Sequence, residues 1–402
     1  MSQATGVIGS ARAPYVRVVG AVSAAHFVSH YYFIALAPLI PFVRDEYRVS
    51  YTEIGLVFAV FNIVTAVFQI PAGFLVDRLG ARLPLILGLI IGATTFVVAG
   101  IVDSFWVMIA MFAVAGIGNT VYHPADYAWL SQQVPSDRIG QAFSVHTFAG
   151  MMGSAVAPAS LLLMQSLWGW RGAFIGAGVL GLAVAILVLL VREGPPAVTG
   201  TGAHRSSDKP DVGWTLLFST PILLNVGFFI LLAMMSSGLY NYSAVALGAL
   251  HGTPITTANA ALTGNLLFTA AGVLIGGLVV VRTKRHGMVA IVGLTATALP
   301  IALIGVGDLG AVGLIAAMSL AGLFSGLIMP SRDMIVRDVT PPGSFGKVFG
   351  FVSNGFNIGG IVSPPIFGAV MDHGSPRMVF LLVAAFSLLA IVTVATKPKR
   401  TA

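Results

Sequence analysis

Ionisable side chains recur at helical spacing inside long apolar runs of this 402-residue sequence, and they are the residues that could do chemistry. His26 and His30 stand four apart on one helix face, with Tyr32 just beyond. His123 and Asp126 stand three apart, and His146 lies in the following run. Downstream, Arg332 and Asp333 are adjacent within a run, and Tyr240 and Asn241 sit together in another. An imidazole titrates near neutral pH, so a histidine beside an aspartate can take up and release a proton. A guanidinium fork suits a carboxylate or phosphonate. Charges in such runs are expensive unless paired or hydrated, which makes them functional candidates by default.

Each of these groups also has a plainer use. The histidines can be neutral, packed and hydrogen-bonded to a neighbouring helix, Asp333 can neutralise Arg332 or Arg337, and Tyr240 and Tyr242 can be packing aromatics. His26, His30, His123 and Asp126 could in principle ligate a transition metal. No Cys, His-rich loop or Met cluster accompanies them and Arg332 would repel a cation, so no metal site is expected. The sequence holds no G-x-x-x-x-G-K-[ST] loop, so nucleotide hydrolysis is not supported and neither an enzyme nor a cofactor is expected.

The elements that position these residues are membrane spans. The chain is 57% hydrophobic and 9% charged, whereas soluble domains carry roughly a quarter charged residues. Against a crossing length of about 20 residues, the apolar runs give twelve spans, at 16–43, 51–77, 83–102, 105–133, 139–164, 170–192, 214–248, 255–281, 287–306, 309–337, 343–371 and 376–396. The seventh is long enough to contain an unwound or tilted portion. The first is too long for a signal-peptide core and is expected to stay as a span.

Sixteen Lys and Arg fall on the side of the termini, against Arg44, Arg48, Arg171 and Arg377 on the other, with Arg332 left inside a span. Positive loops stay in the cytoplasm, so both termini are expected there, in a bacterial inner membrane. The same bias explains the net charge of +7 without nucleic acid. Lacking Cys, the chain has no disulfides or thiolate sites. The stretch 193–213, rich in Pro, Gly and Ser, reads as a cytoplasmic linker between six-span bundles at 1–192 and 214–402.

Those halves repeat. Pro124, Pro135, Gly140, Phe143, Gly153 and Pro158 return 206 residues later as Pro330, Pro341, Gly346, Phe349, Gly359 and Pro364. Two similar membrane halves are how many secondary transporters build a central site that alternates between two access states. The same offset places Asp126 on Arg332. These opposite charges are expected to meet across the pseudo-two-fold axis as an inner gate, or Arg332 to hold an anionic substrate.

Between the second and third spans the chain reads PAGFLVDRLGARLP. Its Gly73, Asp77, Arg78, Gly80 and Arg82 resemble the G-x-L-x-D-R-x-G-R-R signature of the major facilitator superfamily. A weaker copy at 276–287 has Val281 where Asp77 stands. The resemblance implies an all-α fold of twelve membrane helices in two pseudo-symmetric bundles, with spans 1, 4, 7 and 10 lining the cavity. It further implies that Asp77 latches the start of the eleventh span, around Gly343–Gly346. Within the superfamily, AHFVSHYYFIALAPLIPF and GNTVYHPADYAWLS are similar to fosmidomycin-resistance-like transporters. The antiporter signature G-x-x-x-G-P-x-x-G-G is absent from the fifth span, which has Gly150, Gly153 and Pro158 without a Gly-Pro pair.

The expected function is thus secondary active transport of a small organic anion. Arg332, His30, His26, Tyr240, Asn241 and Tyr32 are the expected substrate ligands, and Asp126, His123, Asp333 and His146 the proton-coupling or gating groups. Membrane lipid and protons are the other partners, and the chain is expected to act as a monomer. Import and export both remain open. A proton-driven exporter of cationic or neutral drugs is the alternative, followed by a receptor that kept the fold without carrying anything.

Overall fold

The structure, a computed structural model, describes residues 12–191, 214–341 and 345–395; the expected linker and Gly343 lie outside them. In an apolar solvent every backbone N–H and C=O must be bonded within the segment, which leaves the helix as the available form. The described residues are accordingly helical. In order they form α1 (Arg12–Ile34), a 3₁₀ turn (Ala37–Leu39), α2 (Ile40–Tyr47), α3 (Tyr51–Leu79), α4 (Arg82–Ile101), α5 (Phe105–Asn119), α6 (Tyr122–Gln133) and α7 (Ile139–Leu190). After a second 3₁₀ turn (Trp214–Leu216) come α8 (Thr220–Ser237), a π-helical turn (Gly238–Tyr242), α9 (Ser243–His251), α10 (Ile255–Arg282), α11 (His286–Val306), α12 (Gly310–Asp338), α13 (Phe345–Asp372) and α14 (Pro376–Ala395).

These helices fall on the expected spans, and among the described residues ten stretches are long and apolar enough to cross a membrane. The protein is a multi-pass integral membrane protein. The fifth and sixth expected spans are two helical stretches of α7 that meet at a kink at Gly169, whose backbone is non-helical with φ of 72°. Only glycine takes that backbone readily, so a single residue replaces the expected loop. The expected irregularity of the seventh span is the π-helical turn, a form found frequently at functional sites. Pro38 and Pro41 mark the 3₁₀ turn and restart of the first span.

The described residues divide into two compact units: 12–35 with 64–191, and 36–63 with 214–341 and 345–395. The boundary therefore passes through α3.

Within each unit, helices pack backbone against backbone at glycines. In the first, a Cβ on Gly153 would strike the Phe27 carbonyl, and one on Gly178 the Ala93 carbonyl. In the second, Gly272, Gly322 and Gly326 seat α10 against α12, facing the carbonyls of Leu323, Asn265 and Thr269. Gly355 and Gly359 do the same for α13 on α8. Without a hydrophobic drive between helices in lipid, such close dispersion contact holds a bundle together.

Gly322→Val is therefore expected to cost about 2 kcal/mol or more through overpacking, read as a lower melting temperature in detergent. Gly277→Ala on the partner helix α10, where a Cβ meets nothing within 4 Å, is the control and should melt no lower than the parent.

Candidate functional site

Four imidazoles and one carboxylate come together in the first unit. Gly150 on α7 leaves the space they need, since a Cβ there would overlap the His26 ring and press on His30. His26 stacks on His146 with centroids 3.9 Å apart and planes within 3°, and meets His30 edge-on at 4.6 Å and His123 at 5.3 Å.

The hydrogen bonds fix how protons are placed. His26 Nδ1 donates to the His146 carbonyl at 2.9 Å, and the His146 Nε2–H donates to Asp126 Oδ2 at 2.9 Å. His30 Nδ1 lies 3.3 Å from the Ser154 hydroxyl, and the Tyr31 hydroxyl 2.8 Å from that of Ser160. Asp126 and His146 are both fully buried. His26 Nε2, His146 Nδ1 and Asp126 Oδ1 are buried without a hydrogen-bond partner among the described residues. With the proton on Nε2, His146 Nδ1 and Asp126 Oδ1 are both acceptors without a partner, so the pair has sites for a further proton. His123 lies on the exposed face of α6 beside Tyr127, with ring centroids 6.2 Å apart.

The second unit places the cation. Arg332 on α12 lies over the rings of Phe229 and Phe356, at 4.9 and 5.2 Å from their centroids. Its Nε and Nη2 both reach Asp333 Oδ1 at 2.8 Å. The Arg332 side chain is 14% exposed and that of Asp333 45%. The aromatic faces partly replace the water that a guanidinium loses on burial.

Several expected ligands turn out to be committed elsewhere. Within its own unit Asp126 is bonded to His146, and within the other Arg332 is bonded to Asp333. Tyr32 is buried, stacks on Phe96 and spends its hydroxyl on the Ala177 carbonyl at 3.2 Å. Asn241, in the π-helical turn, donates to the Ser237 hydroxyl at 3.3 Å while its Oδ1 stays buried and unbonded. Tyr240 is half-buried in the same turn.

The signature residues end α3 and start α4. Gly73, Asp77 and Arg78 lie in the last turns of α3, Gly80 makes the turn with φ of 78°, and Arg82 donates to the Leu189 carbonyl at 2.6 Å. Among the described residues no group of three or more His, Asp or Glu is disposed to hold a metal ion.

Ser154, Phe229 and Phe356 escaped sequence reasoning. Ser154 had a usable signal, because it lies four residues after Gly150 and so on the same helix face. The two phenylalanines had none among the many apolar residues of their spans.

Because His146 and Asp126 satisfy each other in a fully buried site, removing one member should cost more than removing both. His146→Leu is expected to destabilise by about 3 kcal/mol, with much of that recovered in His146→Leu/Asp126→Leu. Thermal melts of the two single variants and the double variant check this, and additive losses would refute it.

Comparison with known proteins bears on the whole chain. Residues 22–251 and 226–402 each match the family described as Major Facilitator Superfamily. The chain is 23% identical to the fosmidomycin resistance protein of Escherichia coli, covering 94% of this chain and 92% of that protein. It is 26% identical to the probable sulfoacetate transporter SauU of Cupriavidus necator, over 92% of this chain and 90% of the relative. A bacterial homologue of the human lysosomal transporter Spinster, solved inward-facing and unoccupied, shares the fold with a TM-score of 0.76 at 14% identity. That match covers 97% of this chain and 100% of the other.

Proposed function

The chain belongs to the Major Facilitator Superfamily and is a transporter rather than an enzyme, and we propose that it moves a small organic anion by proton-coupled alternating access. The observation that carries the anion is Arg332, a largely buried guanidinium cradled by Phe229 and Phe356 and satisfied by a half-exposed carboxylate. An incoming carboxylate or sulfonate competes with Asp333 for the Nε–Nη2 edge, the geometry such anions bind best. Asp333 is thus the gating carboxylate that the anion displaces from Arg332. His26, His30, Tyr240 and Asn241 supply further polar contacts, and Asp126 with His146 and His123 forms the second proton-handling group.

The sulfoacetate transporter among the relatives is named for an organic anion, which supports this reading. The fosmidomycin resistance protein favours the second reading, proton-driven export of a drug. In either case twelve spans in two six-helix bundles, 1–192 and 214–402, lie in a bacterial inner membrane with both termini cytoplasmic, and the chain works as a monomer.

Thermal shift of the purified protein tests the site. A ligand at a hundred times its dissociation constant adds about 2.7 kcal/mol of stability. Small carboxylates and sulfonates are expected to stabilise the parent, more at about pH 5.5 than at about pH 7.5. That stabilisation should vanish in Arg332→Ala. Asp333→Asn, which removes the competing carboxylate, should keep the binding. Stabilisation only by cationic or neutral drugs, unchanged in Arg332→Ala, would overturn the anion reading in favour of drug export.

A further inference from the structure

Where α3 starts and α13 ends, one carboxylate joins the two halves of the sequence. Asp372, the last residue of α13, accepts from the Tyr51 N–H at 2.8 Å through Oδ1. Its Oδ2 accepts from the Thr52 N–H at 2.8 Å and the Thr52 hydroxyl at 2.6 Å. The first N–H groups of a helix have no partner within it, and the helix dipole favours a negative charge there.

α3 does not need Asp372 in order to begin. Ser50 and Glu53 already form a reciprocal cap: Glu53 Oε2 accepts from the Ser50 N–H at 2.7 Å, and the Ser50 hydroxyl accepts from the Glu53 N–H at 3.1 Å. Local sequence therefore holds the helix start, and Asp372 is an additional, exposed partner that can leave without unravelling it.

The surroundings are shaped for docking. A Cβ on Gly55 would overlap the Pro364 carbonyl, and one on Gly368 the backbone of Tyr51 and Thr52. The Tyr242 hydroxyl sits between the Pro364 carbonyl at 2.8 Å and the Tyr51 carbonyl at 3.3 Å. Both sides of this contact belong to one compact unit, Leu36–Ile63 with the second half of the chain. The repeat does not duplicate it. Offset by 206, Asp372 falls on Ser166, whose hydroxyl turns back to the Leu163 carbonyl of its own helix.

We propose that Asp372 is a detachable lock in the transport cycle. It holds the start of α3 onto the end of α13 while this end of the protein is closed and lets go when it opens. The proposal rests on the alternating-access reading above. It gives α3 a symmetrical use of its two ends. Asp77, at the far end of α3, is expected by resemblance to cap the start of the eleventh span, so each helix carries the carboxylate that caps the other. One contact forms as the other breaks.

Because the sequence has no Cys, labels can be introduced without removing any. Asp45→Cys on α2 and Val312→Cys on α12 are both exposed positions, and spin labels there report their separation by pulsed electron resonance, with no substrate present. The parent is expected to show a dominant short distance. Asp372→Ala should raise the ratio of long to short distances by about tenfold, the worth of one charge-assisted contact. Asp372→Asn, which keeps one acceptor, should fall between. A parent-like distribution in the alanine variant overturns the lock, and so does an asparagine variant like the parent if the alanine protein cannot be purified. Since no ligand is involved, either result leaves the anion reading to be decided by Arg332 alone.

Discussion

The chemistry of the first unit depends on how closely α7 approaches α1. At Gly153 the α7 backbone lies against the Phe27 carbonyl, and one turn earlier Gly150 leaves a hollow that the His26 ring fills. That approach stacks His26 on His146, and His146 in turn fixes the Asp126 carboxylate. Any side chain at these glycines would push the helices apart and with them every ring in the cluster. The imidazoles are thus positioned by missing atoms as much as by hydrogen bonds.

The second unit uses the same backbone contact for different chemistry. Gly359, the partner of Gly153 in the repeat, packs against the Ile230 carbonyl as Gly153 packs against that of Phe27. The residue before each carbonyl is His26 in one half and Phe229 in the other, and Gly150 corresponds to Phe356. The hollow that admits imidazoles in the first half is therefore filled by an aromatic ring in the second. The residue on the neighbouring helix changes to match: Asp126 beside histidines, Arg332 over phenylalanines. A duplicated scaffold has kept its packing and exchanged its charge.

That contrast decides what was legible in the sequence. Spacing alone found the spans, because the lipid demands uninterrupted apolar helix, and the repeat marked the glycines because backbone contact tolerates no substitute. The groups Asp126, His146, Arg332 and Asp333 were visible as charges in apolar runs. Of their partners, only Asp333 for Arg332 was foreseen. Offset by 206, Asp126 and Arg332 coincide, yet helical phase turns Asp126 to the buried side of α6, while His123 three residues earlier is exposed. Tyr32 stood beside His30 in the sequence, but its ring fits between α4 and α7. Asp372, an ordinary helix-end carboxylate in the sequence, gains meaning only from a contact 320 residues away.

Burial makes the two charged centres unequal. Asp126 and His146 are wholly removed from solvent, with a carboxylate oxygen and a ring nitrogen left unbonded. Such a pair is a poor way to stabilise a bundle, since well-packed apolar residues of the same volume commonly do as well or better. Arg332 and Asp333 keep contact with solvent, and their two hydrogen bonds converge on a single oxygen. A cargo can reach and replace that carboxylate, whereas only something as small as a proton can reach Asp126 without moving a helix. On the proposed reading, the division follows from access: the second half meets the anion, and the first half stores the proton that drives it.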